Sequence, residues 1–94
     1  MKKYYPAVFH EEDGGYTVTF PDIPGCVTEG DSLEEALRMA KDAMGICLVN
    51  DFGDFYYPNA SDPKSVETDE ESFCMLVGFD ELEYLKNTQA KQVI

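Results

Sequence analysis

The segment Ser72-Phe-Cys-Met-Leu-Val-Gly-Phe79 is apolar on both of its alternating sides. Phe73, Met75, Val77 and Phe79 fall on one side, and Cys74, Leu76 and Gly78 on the other. A strand of this kind has to be covered twice, so it is expected inside a layered structure. The chain that must supply the cover has 94 residues. That length makes one domain with a thin core, burying only about 60–65% of its unfolded surface.

The rest of the chain reads as the partners of that strand. Residues 3–11 form a first strand, with Tyr5, Ala7 and Phe9 on one face and Tyr4, Pro6 and Val8 on the other. Pro6 has no N–H to give to a ladder, which places it near the strand's start or at an unpaired position. Asp13-Gly14-Gly15 is a hairpin signal, because glycine reaches positive φ without strain. A second strand follows, with Tyr16, Val18 and Phe20 on one face. Pro21-Asp22-Ile23-Pro24-Gly25 is a rigid turn into a short third strand from Cys26 to Glu29.

Ser32-Leu-Glu-Glu35 is a capping box that opens a helix. Leu33, Ala36, Leu37, Ala40, Met44, Cys47 and Leu48 make its apolar stripe, and it should stop near Asn50 to Gly53. Gly45 within it costs about 1 kcal/mol against alanine unless something packs on it. Residues 51–71 form a long connection whose first part carries Phe52, Phe55, Tyr56 and Tyr57. These aromatics either fold back on the core edge or face a partner. After the Ser72–Phe79 strand, a short helix capped by Asp80 reaches Lys86. Residues 1–86 thus form the domain, and residues 87–94, without an acid, read as a linker-like tail.

The expected architecture is α+β, β-β-β-α-β with a short final helix. Two hairpins give three antiparallel strands, and the helix carries the chain back so that strand four runs parallel to strand one. The sheet is then mixed, in the order 3-2-1-4. One helix covers one face, and the other face calls for self-association as a homodimer or larger homo-oligomer.

Charge narrows the function. Seven Lys and Arg against nineteen Asp and Glu leave a net −12. Such a surface repels a phosphate backbone and suits a basic protein partner, or simply keeps the chain soluble. Cys26, Cys47 and Cys74 form no Cys-x-x-Cys pair, and His10 is the one histidine, so neither zinc nor any cofactor is implied. Each cysteine sits among apolar neighbours and reads as a small buried hydrophobe, in keeping with a reducing cytoplasm. No apolar run reaches the ~18 residues of a membrane span, and the N-terminus does not read as a signal peptide.

The run from Gly15 to Ala36 carries a resemblance. Gly15, Tyr16, Val18, Phe20, Pro21, Asp22, Pro24, Gly25, Cys26, Thr28, Gly30, Glu35 and Ala36 stand in a GYxVxFPDxPGCxTxGD(T/S)xEEA pattern, after a first strand Tyr4-Tyr5-Pro6-Ala7-Val8-Phe9. This resembles the HicB-type antitoxin family, over nearly the whole chain. The resemblance implies a partly degenerate RNase H-like domain of a type II toxin–antitoxin system. It also implies a partner, a small basic HicA-type mRNA interferase whose active site the antitoxin masks. Full-length members of the family usually add a C-terminal DNA-binding module for operator repression. This chain stops at Lys91-Gln92-Val93-Ile94, so DNA contact is expected only through a module not present here.

RNase H chemistry needs several carboxylates around two metal ions. The first strand offers none at its centre, and Glu35 and Asp80 are already explained as capping groups. The chain is therefore expected not to be an enzyme. The residues expected to meet the toxin are Asp51, Asp54, Phe55, Tyr56 and Tyr57, with the outer helix face of Glu34, Arg38 and Asp42 as the alternative surface. A residual metal-dependent nuclease and a non-catalytic oligomerisation domain are the competing readings.

Overall fold

This computed structural model describes residues 2–92. Strands β1 (Lys2–Glu12), β2 (Gly15–Thr19) and β3 (Val27–Gly30) lead into helix α1 (Leu33–Leu48), then β4 (Ser72–Asp80) and helix α2 (Glu81–Gln92). The sheet order is β3-β2-β1-β4, as the sequence leads one to expect. Asp13 and Gly14 both take positive φ, the geometry of the tight hairpin between β1 and β2.

The core lies between the sheet and α1. Tyr5, Ala7, Phe9, Val18, Phe20, Val77 and Phe79 from the strand side meet Ala36, Ala40, Met44 and Leu48 of the helix. Gly30 lets the two layers touch, because a Cβ there would run into the backbone of Ala36. Ser32 caps α1 by accepting from the Glu35 N–H at 3.1 Å. The Glu35 carboxylate answers at the Asp31 N–H (2.9 Å), one residue earlier than the Ser32 amide the capping box suggested. The helix ends at Leu48, short of the expected Asn50–Gly53.

The direction of β4 differs from expectation. All three ladders are antiparallel, β1 with β4 included, so the sheet is not mixed and lacks the parallel pair expected from the helical crossover. The cause is the path of the connection. Helix α1 starts at the Glu11 end of β1 and finishes at the Lys3 end, from which a short link would have made β4 parallel. Residues 49–71 instead retrace the length of the strand. The Tyr5 hydroxyl donates to the Pro58 carbonyl (2.5 Å) at one end, and the Glu11 N–H donates to the Glu71 carbonyl (2.9 Å) at the other. Between them, the Asp22 carboxylate takes the Ser61 N–H at 2.8 Å and the Ser61 hydroxyl at 2.6 Å.

That connection also lies over part of the face α1 leaves open. Pro6 points away from α1 yet is fully buried, the single 3₁₀ turn Pro63–Ser65 packs on β4, and Pro63 and Val66 are half-buried. Part of the cover on that face therefore comes from the chain itself. β4 is an edge strand rather than an interior one, with Phe73 38% and Leu76 47% exposed.

Two further readings are revised. Cys26 is buried and Cys74 half-buried, but Cys47 is exposed. Burial, with the Cys47 thiol alongside, pushes the Cys26 thiol up to about 12, so it stays protonated at neutral pH. Helix α2 runs to Gln92 and so takes in most of the stretch read as a tail, while Val93 and Ile94 lie outside the described residues. Among the described residues no helix is long and apolar enough to cross a membrane.

Gly45 of α1 has its reason in α2. The Tyr84 ring occupies the place a Cβ would take. Gly45→Ala should destabilise the fold by about 1–2 kcal/mol, although alanine is the better helix former. Urea unfolding of the two chains measures the sign.

The turn into β4 is held by Asp69. The Ser72 hydroxyl donates to its carboxylate (2.7 Å), as does the Glu71 N–H (3.0 Å), and His10 stands 3.8 Å away. These neighbours, Ser72 first, hold the Asp69 carboxyl below its ordinary value. A folded-state value below the unfolded one, about 3.9, gives stability above that pH and loses it as the pH falls through the folded value. Asp69→Asn should therefore flatten the fall in urea midpoint below about pH 4.

Candidate functional site

The five residues expected to face a partner follow α1, and the structure divides them. Val49 leaves the helix in an extended conformation and bridges to Phe55. Between them Asn50 organises a tight turn. Its side-chain oxygen accepts from the N–H groups of Phe52 and Asp54, each at 2.9 Å. The Asn50 N–H donates to the Asp54 carbonyl (2.8 Å), the Gly53 N–H to the Asn50 carbonyl (3.1 Å), and the Tyr56 N–H to the Leu48 carbonyl (2.8 Å). Gly53 supplies the positive φ, 83°, that closes the turn.

Phe55 and Tyr57 turn inward. The Phe55 ring stands 5.6 Å from Phe79, 6.3 Å edge-on from Tyr84 and 6.4 Å from Tyr57, centre to centre. The Tyr57 hydroxyl donates to Glu81 at 2.8 Å, and Lys3 sits 5.3 Å from the centre of its ring. Burial, then the Glu81 carboxylate, raises the Tyr57 phenol well above its ordinary value, so it remains a donor. These two aromatics join α1, β4 and α2.

Asp51, Asp54 and Tyr56 remain outside. Tyr56 is 72% exposed, and Phe52, which the sequence reading did not single out as a contact residue, is 89% exposed. Two aromatic rings and two carboxylates thus share one rigid, solvent-facing knob. Asn50 was the signal for it: Asn followed three residues later by Gly fixes a turn that must throw one of the intervening side chains outward.

A second acidic surface lies at the other end of the sheet. It is a cleft lined by Glu12, Asp13, Glu29, Asp31 and Glu35. On the outer helix face, Glu34 and Arg38 are exposed and Asp42 half-buried.

The carboxylates considered for metal chemistry stand apart. Glu35 belongs to the Glu11 end of the sheet. Asp80 pairs with Lys2 at the far end and caps α2 through the Glu83 N–H (3.1 Å). The length of β1 separates them by roughly 30 Å, so they cannot share two metal ions. His10 is occupied with the Ser72 hydroxyl at 2.9 Å. Among the described residues no group of His, Cys, Asp and Glu side chains is arranged to hold a metal.

Strand β2, the turn Pro21–Gly25 and the start of α1 hold most of the family pattern, and there the residues are structural. Val18, Phe20, Ile23, Cys26 and Ala36 are core, Gly25 takes φ 72°, and Asp22 clamps Ser61. Gly15 lies against the Gly30 carbonyl, with Tyr16 half-buried beside it and Pro21 and Pro24 exposed at the turn. These residues build a small α+β domain, a helix-covered antiparallel sheet with an acidic, aromatic knob beside it. Its sequence matches, over residues 5–79, the family described as "HicB_like antitoxin of bacterial toxin-antitoxin system". The chain belongs to this family.

Relatives agree. Antitoxin HicB 2 of Photorhabdus laumondii subsp. laumondii is 44% identical over 69 residues, which is 73% of this chain and 46% of that protein. Antitoxin HicB of Escherichia coli is 47% identical over 45 residues, 48% of this chain and 29% of that one. A chain of a toxin–antitoxin complex from Streptococcus pneumoniae superposes with a TM-score of 0.73 at 30% identity, covering 89% of this chain and 73% of that one. The chain spans less than half the length of these curated relatives.

Asn50→Ala should cost about 1 kcal/mol and free two amides at once. Hydrogen exchange should then quicken at Phe52 and Asp54 while the Phe9 amide stays protected.

Proposed function

We propose that this chain is an antitoxin that neutralises a small basic toxin by covering the surface the toxin uses on RNA, and that the toxin is a HicA-type mRNA interferase. The observation that supports this most is the knob at residues 51–56. It sets exposed Phe52 and Tyr56 in the same short segment as exposed Asp51 and Asp54, on a chain of net charge −12. Exposed aromatic rings are common anchors of protein interfaces, and the acids speed the approach of a basic partner. Covering by charge and bulk needs no catalysis, so the reading is of a binding protein acting in the cytoplasm beside the messages its toxin would cut. The reading puts no DNA contact on residues this acidic.

Purified chain mixed with a basic HicA-type interferase should stop its RNA cleavage near equimolar ratio. Phe52→Ala with Tyr56→Ala should weaken that complex by about 30-fold or more, a loss of ~2 kcal/mol or above. Asp51→Lys with Asp54→Lys should mainly slow association and reduce its salt dependence. Cleavage that continues with the unmodified chain in excess would overturn the reading.

A further inference from the structure

We propose that Cys26 and Cys47 are a redox pair, which hydrogen peroxide joins into a reversible disulfide tying the entry of β3 to the end of α1. The inference does not depend on the toxin reading. It starts from where the helix carries Cys47. Helix α1 packs on β3, and Gly30 lies against the backbone of Ala36, which fixes one level at which the two touch. From Ala36 to Cys47 the helix makes about three turns, and this returns Cys47 to the side that faces β3. Over that stretch it rises about 16 Å, while the backbone from Gly30 back to Cys26 covers roughly 13 Å. The two cysteines therefore arrive at the same level, and their side chains are in hydrogen-bonding contact. Both are free thiols. The turn before β3 holds Cys26 in place: its N–H donates to the Ile23 carbonyl and its carbonyl accepts from the Phe20 N–H, each at 3.1 Å.

The pair is unequal. Cys26 is 1% exposed, whereas Cys47 is open to solvent. Packing accounts for Cys26 but not for Cys47, since an exposed thiol fills no core. Burial keeps the Cys26 sulfur protonated, so Cys47 is the end an oxidant meets first. The Cys47 sulfur attacks one oxygen of hydrogen peroxide. The O–O bond breaks, a sulfenic acid forms at Cys47 and water leaves. The Cys26 sulfur then attacks the Cys47 sulfur. The S–S bond forms, the S–O bond breaks, and the departing hydroxide carries off the Cys26 proton as water. The two thiols are oxidised and the peroxide is reduced to water. A dithiol restores both thiols by exchange. Cys74 stands outside the pair, opposite Val8 on β4, with β2 and β1 between it and β3. The closed bond would span β3 and nearly all of α1, a long loop whose closure takes freedom from the unfolded chain.

Intact mass, peptide mapping and urea unfolding of the purified chain, before and after hydrogen peroxide, test this. The expected result is a loss of the mass of two hydrogens, a linked fragment holding Cys26 and Cys47, and one titratable thiol left of three in denaturant. The urea midpoint should rise, and dithiothreitol should reverse every change. Cys47→Ser should abolish both the link and the rise, while Cys74→Ser should leave both in place. Cys26→Ala should act as Cys47→Ser does; if it does not fold, Cys47→Ser decides alone. A chain that only gains oxygen overturns the proposal. So does a link between two chains, a link through Cys74, an intramolecular link that persists in Cys47→Ser, or a midpoint that fails to rise once the bond is made.

Discussion

One helix cannot shield both faces of a four-stranded sheet, and the chain meets that constraint with its own connection. After α1, residues 49–71 turn back along β1 and lie partly across the uncovered face. The hydrogen bonds that hold them there come from Tyr5, Asp22 and Glu11. Without that path β4 would enter from the other end and run the other way. The orientation of the last strand, the seat of α2 and the place of the aromatic knob all follow from where this segment is pinned. The family pattern acts here: Asp22, inside the Pro-Asp-Ile-Pro-Gly turn, is one of the pins.

Local signals carried most of the fold. Asp13-Gly14 announced the first hairpin because both positions need positive φ. Ser32 and Glu35 announced the start of α1, and the alternation in residues 3–11 chose the face that would be buried. The order of strands followed from these. The direction of β4 did not, because it rests on contacts between residues far apart, such as Ser61 with Asp22 and Pro58 with Tyr5. Nothing near Ser72 encodes which end of the sheet it will meet. Its two-sided apolar pattern suggested an interior position. In the structure β4 is an edge strand, and Phe73 on one face and Leu76 on the other are partly exposed.

The candidate site was half legible. Composition pointed to residues 51–57, where aromatics and acids crowd together. It could not sort Phe52 from Phe55, which are alike in type and near in sequence. The sorting is done by Asn50, whose side chain binds the turn from within, and by the Phe79 and Tyr84 rings, against which Phe55 packs. Gly45 shows the same limit. Its cost was visible in the sequence, but the Tyr84 ring that justifies it comes from another helix.

The Asn50 turn has one more consequence. Its backbone is tied at both ends and through the middle, so Phe52 and Tyr56 are held on a stiff mount before any partner arrives. A stiff mount has little disorder to surrender on contact, and more of the contact energy is kept as affinity. The same stiffness makes the knob a poor improviser: it suits a partner whose hollow has its shape and rejects one that would ask it to bend.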